Sequence, residues 1–130
     1  MKALLTLLLP VMLLVTACEK NEYVVANRTV VVDVRPGSWI RSGNGTYYTT
    51  AIDLPELDNY LHDRGGILVY ISFDEGRTYE QVPEVYEGVA YSYATSPGQI
   101  VLTVEGSNGT SQVSPPSFMT VKIVLIESDY

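Results

Sequence analysis

The chain reads as all-β: an antiparallel, immunoglobulin-like β-sandwich of about eight strands with one short inserted helix, preceded by a signal peptide. Three observations predict this. From residue 23 onward, short runs rich in Val, Ile, Thr and Tyr alternate with clusters of Gly, Pro, Asn and Ser, the pattern of strands and tight turns. Helical periodicity occurs in only one place, residues 55–65. The one cysteine of the chain, Cys18, has no partner for a disulfide, so the domain must stand on its apolar core.

The elements follow in order. Residues 29–34, TVVVDV, are β-branched and apolar and stop at Arg35-Pro36-Gly37, a turn signal. Trp39 and Ile40 open a short extended piece. Ser42, Gly43, Asn44 and Gly45 tolerate positive φ and predict a hairpin, whose second arm, TYYTTAIDL (46–54), ends at Pro55. Leu57, Tyr60 and Leu61 recur at helical spacing between Pro55, suited to a first turn, and the terminating Gly65-Gly66, which predicts two to three turns of helix. So short a helix needs a sheet to pack on.

Residues 67–73, ILVYISF, are apolar on both faces, as in a central strand, and Asp74-Glu75-Gly76 turns the chain. Residues 78–82 extend again until Pro83. Residues 88–95 alternate Val89, Tyr91 and Tyr93 against Ala90, Ser92 and Ala94. Ser96-Pro97-Gly98 leads into 99–105, where Ile100, Leu102 and Val104 share a face. A polar loop over 106–116 precedes the last strand, 118–127, almost wholly apolar apart from Thr120 and Lys122. If the protein assembles by strand addition, this apolar segment, 118–126, is the edge to expect.

The N-terminus carries the most specific signal. Lys2 is followed by an uncharged run from Ala3 to Cys18 with leucines at 4, 5, 7, 8, 9, 13 and 14. It is shorter than the roughly 20 residues of a spanning helix and holds Pro10, so it reads as a secretory signal rather than an anchor helix. Its exit, Val15-Thr16-Ala17-Cys18, resembles the bacterial lipobox. The resemblance implies that the Cys18 thiol is diacylglycerylated, that the bond before it is cut, and that the new amino terminus takes a further acyl chain such as palmitate. Residues 1–17 are then the signal, 18–22 a lipidated linker and 23–130 the sandwich domain. Each buried methylene contributes about 0.8 kcal/mol, so two or three chains hold a protein durably where one holds it marginally.

Cleavage at Cys18 removes 17 of 130 residues and leaves 113, enough for one domain with its own core. It also removes Lys2 and none of the 15 acids, taking the net charge from −7 to −8. With no basic stripe to displace counterions, nucleic acid is excluded as a partner, and anionic headgroups are not bound through charge. Membrane attachment falls to the lipid.

Three segments, YYTTAIDLP, DRGGILVYIS and PPSFMTVKIVLIES, resemble those of small Bacteroidota-type envelope lipoproteins of unknown function. The likeness covers about residues 46–126 and rests on patterning. It implies a β-sandwich domain at the cell envelope, at the outer membrane, and brings no catalytic residues with it. Routing to the surface is associated in that group with a Lys and acids after the cysteine, which Glu19-Lys20-Asn21-Glu22 matches in part.

Chemistry has few footholds. His62 is the sole histidine, which excludes a metal site built on two imidazoles and leaves a Ser-His-Asp triad to be assembled on a short helix beside Asp58 and Asp63. No phosphate-binding loop or dinucleotide fingerprint is present, and no cofactor is expected. Asp74-Glu75-Gly76 lacks the alternating oxygen ligands of an EF-hand. Carboxylates are plentiful at turns, where they ordinarily solubilise, although a pair at the right separation would suffice for glycoside hydrolysis. The Asn-x-Thr triplets at Asn27, Asn44 and Asn108 are not expected to be glycosylated in a bacterial envelope protein, and the Asn-Gly members at Asn44 and Asn108 read as turns.

Ten tyrosines and one tryptophan remain. Strand propensity and cross-strand pairing account for them without a ligand. As a binding platform, Trp39, Tyr47, Tyr48, Tyr91 and Tyr93 are the candidates. The expectation is thus a lipid-anchored, non-enzymatic module binding a protein partner or a glycan. The alternatives are a small carboxylate-based hydrolase of envelope polymers and a structural subunit.

Overall fold

A computed structural model describes residues 26–128. The signal (1–17), Cys18 and the linker (18–22) lie outside the described residues. Among the described residues, nine strands form two antiparallel sheets: β1 (Arg28–Val34), β2 (Ile40–Ser42), β3 (Tyr47–Asp53), β4 (Gly66–Ser72), β5 (Glu80–Val82), β6 (Glu84–Tyr86), β7 (Val89–Ser96), β8 (Gln99–Gly106) and β9 (Met119–Ile126). Sheet one has the order β1-β9-β4-β5, and sheet two β2-β3-β8-β7-β6. The chain is an all-β sandwich.

Alternation along the strands builds the core. From sheet one, Val69 and Ile71 of β4, Val82 of β5, and Met119, Val121, Ile123 and Leu125 of β9 face inward. Tyr48 and Ile52 of β3 and Ile100, Leu102 and Val104 of β8 oppose them from sheet two. Leu54, Leu57 and Leu61 close one end, where Gly98 N–H donates to the carbonyl of Leu57. At about 25 cal/mol per Å² of apolar surface removed from water, this burial is the main favourable term of folding.

The helix is shorter than its periodicity predicts. It runs over α1 (Asn59–Arg64), because Asp58 acts as its N-cap and accepts the Leu61 N–H at 2.8 Å, while residues 54–57 close a separate turn from Leu57 N–H to the Leu54 carbonyl. Leu61 alone of its six residues is buried.

Pro83 explains why more strands occur than the eight expected. It separates two three-residue strands and marks the place where the chain leaves sheet one as β5 and enters sheet two as β6. The Val82–Pro83 peptide is cis.

The position of the last strand corrects the sequence-based expectation for strand addition. β9 pairs with β1 on one side and β4 on the other, over its full length, so 118–126 offers no free edge. Its apolar character reflects burial in the middle of sheet one, a placement that a continuous apolar run shares with an uncovered edge.

Candidate functional site

The largest departures from ordinary surface chemistry gather where β4 turns into β5 and meets β6. Ser72, the last residue of β4, is 1% exposed, and its hydroxyl organises the turn. Oγ donates to Asp74 Oδ1 at 2.7 Å and accepts the Gly76 N–H at 2.8 Å. Asp74 Oδ1 also accepts the Thr78 N–H at 2.8 Å. Glu75 and Gly76 both take positive φ, 61° and 86°, which reverses the chain within two residues.

The Ser72 hydroxyl and then the Thr78 amide hold the Asp74 carboxyl down to about 2, below its ordinary 3.8. A depressed carboxyl pKa contributes stability above the ordinary value, and that contribution is lost as pH falls through the lower one. Removing the carboxylate in Asp74→Ala is therefore expected to destabilise the protein at pH 5. The gap to the parent should narrow steadily below pH 4 and close near pH 2. Urea unfolding of both proteins across that range checks it.

This braced turn holds Phe73 at the rim of a cleft of about 350 Å³ lined by Phe73, Asp74, Thr78, Glu80 and Tyr86. Phe73 and Tyr86 are 41% and 50% exposed. The Phe73 ring meets Tyr91 edge-on, with centroids 5.7 Å apart at 64°. Close by, the Glu84 carboxyl is pushed up by burial and then by the charge of Glu80, to which it is hydrogen-bonded, and its Oε1 is buried without a partner. Burial and then Glu84, Glu80 and Glu87 push the Tyr91 phenol up. The charge of Glu80 thus adds to burial in favouring the protonated form of Glu84.

The aromatic residues singled out in the sequence go elsewhere. Trp39 (9% exposed) and Tyr48 (6%) are core residues. Tyr47 turns to the opposite face of β3 and is exposed. Tyr91 and Tyr93 are half-buried against the core, and the Tyr93 hydroxyl donates to the Ile67 carbonyl at 2.8 Å. Tyr48 and Tyr91 are cross-strand neighbours through Val104. The five share no exposed face. Phe73 and Tyr86 were missed, although both stand at a strand end just before a turn containing Glu-Gly, a position that throws a side chain to the rim.

His62 is remote from this cleft in sequence and contact: Nε2 lies 3.4 Å from the Thr95 carbonyl and Nδ1 3.6 Å from Asp63. Among the described residues, no three His, Cys, Asp or Glu side chains are grouped to hold a metal ion, and no helix is long and apolar enough to cross a membrane. On the outer face of sheet one, Lys122 sits over the rings of Tyr70 (4.8 Å) and Tyr79 (4.1 Å). No protein-family model, curated protein or solved structure matches the chain.

Proposed function

We propose that the protein is a lipid-anchored lipoprotein of the bacterial cell envelope, at the outer membrane, whose sandwich is a non-enzymatic module binding a protein partner or a glycan in the Phe73–Tyr86 cleft. The anchor rests on the leucine-rich run ending in Val15-Thr16-Ala17-Cys18. The observation that carries the binding role is the turn beneath Phe73. A loop braced by Ser72 and Asp74 holds an exposed ring in place before any ligand arrives, so little ordering entropy is lost on binding.

The test is capture from envelope extract by the intact protein, compared with Phe73→Ala and Tyr86→Ala. Both rings are exposed, so the fold should persist. Each truncation is expected to weaken retention of the captured ligand by about tenfold, the scale of an aromatic anchor. Equal retention by parent and both variants would refute the cleft as the binding site.

A further inference from the structure

β1 is an edge strand. β9 takes one of its sides, and among the described residues no strand lies against the other. Edges are ordinarily blunted by shortness, a proline, a bulge or an inward-pointing charge. β1 has seven residues, no proline and an unbroken register with β9, and its inward positions Val30, Val32 and Val34 are all valine. The other short edge strands are protected differently: β5 and β6 have three residues each, beginning with Glu80 and Glu84, and β2 has three.

A cleft borders each face of β1. A cleft of about 260 Å³ runs along Val32, Asp33 and Val34 toward β3, and one of about 450 Å³ borders Val31 and Asp33 on the outer face. Val31, the middle residue, is 54% exposed.

We infer that β1 is a self-association edge, pairing antiparallel with β1 of a second copy about a twofold axis through Val31. A twofold perpendicular to the sheet keeps inward residues beside inward residues. Centring it on Val31 pairs all seven positions: Val31 meets itself, Val30 meets Val32, Thr29 meets Asp33 and Arg28 meets Val34. The three central pairs are β-branched, the favoured class of cross-strand neighbour, and no like charges stand opposite one another. A threonine hydroxyl faces the only carboxylate. Moving the axis to Asp33 would set that carboxylate against itself, and β5 or β6 would offer only three positions to pair. The chain is strongly acidic, yet this strand carries a single carboxylate, Asp33, and its Arg28 is ion-paired with Glu127 of the same chain at 3.3 Å, so it is an edge on which two copies meet without acidic repulsion. The product is a continuous eight-stranded sheet, β5-β4-β9-β1-β1-β9-β4-β5, with both sandwiches on the same side.

Cysteine cross-linking of the full chain in membranes of an expressing bacterium tests this. Under mild oxidation, Val31→Cys is expected to form a disulfide dimer at least about tenfold faster than Gln81→Cys, an exposed position on the opposite edge of sheet one, because pairing holds the two thiols at high effective concentration. The parent chain gives the background due to Cys18. Val31→Lys, which sets two ammonium groups face to face, should sediment as a monomer after detergent extraction where the parent sediments as a dimer. Unchanged emission from the buried Trp39 would show that its fold is kept. Equal cross-linking rates for Val31→Cys and Gln81→Cys, or a parent that sediments as a monomer, overturns the inference. Fractionation of the same samples reports the lipid anchor separately, so failure of either reading is visible on its own.

Discussion

Cys18→Ala is expected to move the protein from the membrane fraction to the soluble fraction almost completely. The reasoning is one of area and charge. The sandwich presents no helix, among the described residues, that could span a bilayer, and the chain's net charge of −7 repels anionic headgroups. The fatty chains on one sulfur would then supply nearly all the binding free energy. At about 0.8 kcal/mol per methylene, their removal costs far more than any surface contact could replace. Because Cys18 precedes β1, the substitution should leave the domain's unfolding curve unchanged. Fractionation by ultracentrifugation, with mass spectrometry of the mature amino terminus of the parent, checks both halves. A variant still pelleting with membranes would remove the basis for a lipid anchor, as would a parent whose Cys18 carries no acyl group.

The sandwich was legible because alternation and turn chemistry are local. Val-rich 29–34, the Gly43-Asn44-Gly45 turn and the alternation of Ile100, Leu102 and Val104 each depend on neighbours a few positions away, and each appears where the pattern puts it. What depends on distant partners was not legible. A run such as MTVKIVLI suits a buried middle strand and an uncovered edge equally, and only the pairing of β9 with β1 and β4 decides between them. The same holds for the aromatics: composition shows ten tyrosines, but whether Tyr48 faces the core or Tyr47 faces water follows from a one-residue register choice in β3. The cleft was hidden for a related reason. Glu80 and Glu84 read as separate surface acids until the chain switches sheets at Pro83 and brings their carboxyls together. Glu84's raised affinity for its proton is therefore a property of the corner and has no trace in spacing.

The middle of sheet one is where the fold is most exposed to mutation, and Ile123→Ala is expected to cost about 3–4 kcal/mol, with Ile123→Val costing about 1. Ile123 is fully buried in β9, the strand that β1 and β4 both use as their template, opposite Val30 on one side and Val69 on the other. Close packing there leaves the neighbours little freedom to collapse into a cavity, since they are themselves fixed by two hydrogen-bonded ladders. A domain of this size is held by about 5–15 kcal/mol in all, so the alanine variant stands near the margin while the valine variant does not. Ile40→Ala, at a 65%-exposed position of β2 in the other sheet, should change stability by less than about 0.5 kcal/mol. Trp39, the single tryptophan and 9% exposed, reports unfolding in urea by its emission. The graded series is the informative result. If Ile123→Ala and Ile40→Ala shift the midpoint equally at constant m-value, β9 is not the shared interior strand, and the layered core built on it fails.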